Sequence, residues 1–222
     1  MGFFGFGKPA SKPTSGVFRF GDSSTHTPEE YGYLSVRVGF QSAVEQTNAL
    51  FGEGTMGATL GVAQAIRRVR YAADIYTTML EVGVYMWHAA SMLKVNGQVM
   101  ARISKGVQDC LTDMRAPNGK PLDQDFKDFL LQQAYKFALA LEKDVEIGSS
   151  VPPDTYQAEP LPSTALLIDI LLKSNSEDSV VVSKWREEMH SPAGMWLWHV
   201  IEDSTLASMS ALSKAICVTY VK

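Results

Sequence analysis

Cysteine is scarce in this chain: 222 residues carry only Cys110 and Cys217, and histidine is nearly as rare, with four. Two cysteines build no disulfide framework, so a reducing, intracellular (cytoplasmic) setting is expected. No stretch is apolar for the roughly 20 residues that a bilayer crossing needs. The richest window, Tyr71 to Val95, is interrupted by Asp74, Glu81 and Lys94, so no transmembrane segment is expected. The first residues hold Phe3, Phe4 and Phe6 but neither a continuous apolar run nor a cleavage site, which argues against a secretory leader. Complete chemical signatures are also lacking. There is no Gly-x-Ser-x-Gly elbow, no recognisable cysteine-nucleophile context and no full set of metal ligands, so no catalytic residue, cofactor or metal site is assigned. What remains is an ordinary folded composition, 45% hydrophobic and 20% charged, long enough for one sizeable core with or without arms.

The net charge of −4 is unevenly placed. Residues 142–222 hold 6 basic and 12 acidic side chains, and residues 1–141 hold 14 and 12. A molecule polarised in this way can stack head to tail or turn one face to an anionic partner; solvated surfaces of unequal charge are the simpler reading.

Along the chain, residues 1–30 read as an extended arm. Gly2, Gly5, Gly7, Pro9, Pro13, Gly16, Gly21 and Pro28 break any regular pattern among Phe3, Phe4, Phe6, Phe18 and Phe20. Tyr31 to Phe40 alternates like a strand, and with a strand near Arg19 and Phe20 it would make a small β-hairpin. From Gln41 onward helix dominates. Ala43 to Phe51 predicts a short helix that stops at Gly52, and Thr55 opens a long one reaching Leu93. Asn96-Gly97 marks a break before Val99, Ile103 and Val107. Pro117-Asn118-Gly119-Lys120-Pro121 is a turn, after which Asp123 caps a helix carrying Phe126, Phe129, Leu130, Tyr135, Phe137, Leu139 and Leu141. Residues 148–163 form a proline-rich connector. Ser163 caps a further apolar helix, and a terminal helix runs from Met195 to about Tyr220. The expected fold is therefore mainly α: a single multi-helix domain over residues 31–222, with the arm and a small hairpin.

Gly52-Glu53-Gly54-Thr55-Met56-Gly57 has the spacing of a dinucleotide-binding fingerprint, whose glycines allow a tight turn and close approach to a pyrophosphate at a helix N-terminus. Its core, Gly54-Thr55-Met56-Gly57, resembles the start of hydroxyacyl-CoA dehydrogenase domains. That resemblance implies a strand–turn–helix unit, a parallel sheet and NAD. The flanking residues favour a glycine hinge opening a helix, because Asp74 falls inside a continuing helical pattern and Glu53 places negative charge beside the pyrophosphate. Gly2 to Lys8 has phosphate-loop spacing, but Pro9 stands where a hydroxyl is required. Gly2 is also a myristoylation position, with Phe6 where serine or threonine is usual.

Glu187-x-x-His190 fits one half of a di-iron helix motif and His199-x-x-Glu202 runs in the reverse order, an incomplete set better read as surface or interface residues. His88 is a packed histidine. Val151-Pro152-Pro153-Asp154-Thr155-Tyr156 is similar to a proline–tyrosine budding motif with one residue too many before the tyrosine; an extended linker is the default. Trp185, Trp196 and Trp198 concentrate near the C-terminus, and Trp196 and Trp198 cannot share one helix face. Arg67, Arg68 and Arg70, reinforced by Arg102 and Lys105, form the densest basic patch. It suits a nucleic acid, an anionic membrane surface or internal ion pairs with the acidic C-terminal region.

These observations favour a non-enzymatic, self-assembling structural protein forming a homo-oligomer, of the viral matrix or nucleocapsid/coat type, with a virion as its other setting. Phe3, Phe4, Phe6, Phe18 and Phe20 would act as the assembly arm, and Arg67, Arg68 and Arg70 would meet nucleic acid or lipid heads. The alternatives are an NAD-dependent oxidoreductase using the Gly52–Gly57 loop and an RNA-binding helical module.

Overall fold

A computed structural model of the chain describes residues 16–51, 72–115, 119–150, 160–173, 192–215 and 218–221. Its first helix begins at a local signal. In Thr27-Pro28-Glu29-Glu30 the Thr27 hydroxyl accepts the Glu30 amide at 3.2 Å, and the Glu30 carboxylate accepts the Thr27 amide at 2.7 Å. This reciprocal capping box, with Pro28 already set in helical φ, starts α1 at Pro28–Phe51. The strand expected over Tyr31 to Phe40 is thus a helix, and the separate helix expected from Ala43 is its continuation. The two-residue alternation there is incidental: Tyr31, Gly32, Ser35, Val36 and Gly39 are buried, which is helical spacing.

The other elements follow in order. They are α2 (Ala72–Trp87), a π-helical turn at His88–Met92, α3 (Gly97–Asp113), α4 (Gln124–Ser150), α5 (Pro162–Lys173), and α6 (Pro192–Ser210) with a π-helical turn at Ala211–Ala215. The Asn96 side chain accepts the Val99 amide at 3.0 Å, so the break expected at Asn96-Gly97 is the cap of α3, and Asp123 accepts the Asp125 amide at 2.8 Å as the expected cap of α4. The turn before α4 is pinched by a bridge between Arg115 and Pro121, with Gly119 at φ +76°.

A small hairpin is present, but it lies earlier than expected. Strand β1 (Val17–Arg19) pairs antiparallel with β2 (Thr25–His26) on one side and with β3 (Thr219–Val221) on the other. Phe18 stands opposite both His26 and Tyr220. The helix expected to run to Tyr220 therefore ends earlier, and the chain finishes as a strand. Pairing with β1, distant in sequence, decides this; local propensity does not.

Helix α2 occupies the centre, touching α1, α3, α4, α5 and α6. Every residue from Thr78 to Ala89 is buried, as an apolar block with few charges requires. At roughly 1.5–3 kcal/mol for each large apolar side chain removed from water, this helix dominates the core. Helix α1 packs on α2 and α3, α4 packs on α2, and α5 and α6 close the far side. Helices α1 and α3 touch through glycines: a Cβ at Gly32 would collide with the Ile103 carbonyl oxygen, and one at Gly106 with that of Glu29. Among the described residues, no helix is long and apolar enough to cross a membrane.

Candidate functional site

Most of the sequence motifs lie outside the described residues. These are Phe3, Phe4 and Phe6, the loop Gly52 to Gly57, Arg67, Arg68 and Arg70, Val151 to Tyr156, Trp185, the pair Glu187 and His190, and Cys217. The strand–turn–helix unit that a dinucleotide site would need is not found among the described residues, where all pairing is antiparallel.

The remaining candidates serve their own chain. Phe18 is fully buried, stacked on Tyr31 at a 4.0 Å ring separation, and Phe20 meets His26 edge-on at 4.9 Å. These two aromatic residues of the expected arm belong to the domain core. Arg102 holds Glu29 with a two-pronged grip, Nε to Oε1 at 2.7 Å and Nη2 to Oε2 at 2.8 Å, and this guanidinium holds the Glu29 carboxyl below its ordinary range. Lys105 pairs with Asp109 one turn on. Both cations are thus ion-paired within their own chain, Arg102 across two helices and Lys105 in an exposed pair along one. In the reversed His199-x-x-Glu202 pair, Nδ1 lies 3.4 Å from Oε2 while Oε1 accepts the Leu161 amide at 3.0 Å. Asp144 accepts the neighbouring Ser163 amide at 3.2 Å, so two carboxylates secure the start of α5. Among the described residues, no three His, Cys, Asp or Glu side chains converge as a metal site.

Two buried polar groups stand out. His88, the first residue of the π-helical turn, lies with Nδ1 3.3 Å from the Tyr31 hydroxyl, which also reaches the Tyr85 carbonyl at 3.3 Å. Burial pushes the imidazole down to about 4, so it is neutral at physiological pH. Glu81 is buried beside Ser208, whose hydroxyl donates to Oε2 at 2.8 Å, and burial raises its carboxyl above the ordinary range. Both tie elements together: Tyr31–His88 joins α1 to the end of α2, and Glu81–Ser208 joins α2 to α6.

A shallow cleft of about 280 Å³ opens between α1 and α3, lined by Tyr33, Arg37, Phe40, Gln41, Cys110, Asp113 and Met114. Burial pushes the Cys110 thiol up to about 11, which keeps it protonated and a poor nucleophile. The Tyr33 hydroxyl donates to Asp113 at 3.3 Å, so the acid at the rim is already engaged.

The outer face of α4 is different. Leu130, Gln133, Ala134, Phe137, Ala140 and Leu141 form the buried side of this helix. On the opposite side Leu139 is 56% exposed and Tyr135 37%, among exposed Gln132, Lys136, Glu142, Lys143 and Glu146. Met92, 53% exposed, follows Ser91, whose hydroxyl meets Glu142. From the sequence, Tyr135 and Leu139 belong to the apolar set of this helix and to no site. The signal was present, because Phe137 and Leu139 project about 200° apart and cannot both face one core. No family model matches this chain, and comparison with curated proteins and solved structures finds no match either.

Proposed function

We propose that this chain is a non-enzymatic, self-associating structural protein, of the kind that viral matrix and nucleocapsid or coat subunits represent. The observation that carries this reading is the exposed apolar pair Tyr135 and Leu139, one turn apart on the outer face of α4 and uncovered among the described residues. Two sequence features point the same way. Phe3, Phe4 and Phe6 precede Gly16, where the chain enters the sheet beside Tyr220, and the acidic excess lies in residues 142–222.

Size-exclusion chromatography with light scattering on the full-length protein, across concentration and salt, tests this reading. Species larger than a monomer that grow with concentration are expected, and deletion of residues 1–15 should lower their order. The deletion must stop before Val17, since β1 belongs to the fold. A sharp, salt-independent monomer with and without those residues would refute self-association. Assembly that appears only with RNA or anionic vesicles, and is lost when Arg67, Arg68 and Arg70 are neutralised, would move the reading to a scaffold on that partner.

A further inference from the structure

Two copies of one surface meet favourably about a two-fold axis only when that surface complements itself, each group facing its opposite. The outer face of α4 has this property around Leu139. Lys136 stands three residues before it and Glu142 three residues after, one turn away on either side and opposite in charge. At 100° per residue they sit about 60° to opposite sides of Leu139, flanking it rather than lining up with it.

We propose that α4 is the contact between two copies of this chain, crossing at Leu139 about a two-fold axis, with Lys136 of each copy against Glu142 of the other. This pairing rests on the self-association reading above and names its surface and partner. A crossed pair of helices approaches to about 8–10 Å at its centre, where Leu139 meets Leu139 and the two charge pairs close its sides. Tyr135, one turn before Leu139, broadens the apolar centre. The Tyr135 hydroxyl meets Ser104, and Glu142 Oε2 takes the Ser91 hydroxyl, so both side chains are positioned from within their own chain. Among the described residues Glu142 Oε1 has no bonded partner and would take Lys136 of the second copy, and less side-chain freedom is lost when the copies meet.

The balance of charge selects this occupant over others. Lys136 and Lys143 alternate with Glu142 and Glu146 along the face, so a nucleic acid or an anionic membrane would gain two attractions and meet two repulsions. A second copy turns every one of the central charges to use. The contact is short, which sets the expectation of a weak dimer seen at high protein concentration.

Sedimentation velocity of the full chain over a wide concentration range tests the pairing with Lys136→Glu, Glu142→Lys and the double swap Lys136→Glu/Glu142→Lys. Each single reversal sets like charges together twice and should weaken association about tenfold or more; the double swap should return it close to the unmodified value. Circular dichroism melts check that the three variants fold alike, as exposed positions should. Singles that associate like the unmodified chain, or a double that stays weak, would overturn the pairing while leaving self-association through another surface intact. An unmodified chain that remains monomeric at every concentration would overturn both.

Discussion

Acidification should loosen this protein through His88, and the structure gives the size of the effect. The imidazole titrates at about 4 in the folded chain against an ordinary value of 6.5, because burial penalises its charged form. A histidine depressed in this way binds fewer protons folded than unfolded. Its contribution is fully present above about pH 6.5, is lost as pH falls toward about 4, and changes little below that. At about pH 4.5 the unfolded imidazole is almost wholly protonated and the folded one mostly is not, a difference of about 2.5 kcal/mol, or about 2 kcal/mol once partial solvent screening is allowed for. Glu81 and Asp144 oppose this loss, since burial raises both carboxyls and favours the protonated folded state as pH falls. The unmodified protein alone therefore cannot isolate the histidine. His88→Asn keeps a group able to bond the Tyr31 hydroxyl but does not titrate. Urea unfolding of both proteins at about pH 7.5 and about pH 4.5 should show the unmodified chain losing about 2 kcal/mol more than His88→Asn over that interval. Any constant cost of the substitution cancels in the comparison. Parallel pH dependences would refute the reasoning and mean that the imidazole reaches water in the folded chain.

Three further outcomes follow from the packing. Gly106→Ala should cost about 2–3 kcal/mol in chemical denaturation, because its Cβ has no room against the Glu29 backbone, whereas Gly97→Ala, with nothing within 4 Å, should change stability by less than about 0.5 kcal/mol. Glu81→Gln should be more stable than the unmodified chain at neutral pH, since the amide keeps an acceptor for Ser208 without a buried charge. That advantage should shrink as pH falls through the raised carboxyl range, and an advantage that grows with acid would reverse the assignment. Ser23 sits at φ 70° in the turn between β1 and β2, so Ser23→Gly should raise stability by about 1 kcal/mol, read as a higher thermal midpoint. No gain would mean that the Ser23 side chain holds the turn in some other way.

The amino-acid sequence by itself determined the helical class, the break at Asn96-Gly97, the cap at Asp123, the burial of the central apolar block and the packed role of His88. Each of these depends on neighbours within a turn or two, or on an apolar excess that only a core absorbs. The start of α1 was also written locally, in Thr27 to Glu30, yet the alternation from Tyr33 to Val38 masked it. Tertiary structure alone decided the rest. The terminal Thr219–Val221 became a strand because β1 offered it a partner two hundred residues away, and Phe18 entered the core because Tyr31 and Tyr220 close over it. Arg102 was paired only because the fold brought Glu29 within reach, from 73 residues away in sequence. The candidate surface on α4 was half legible: a helix with apolar residues on two opposite sides has one too many. Which side α2 would cover, leaving Leu139 outside, depended on how the helices pack together, and no local pattern encodes that.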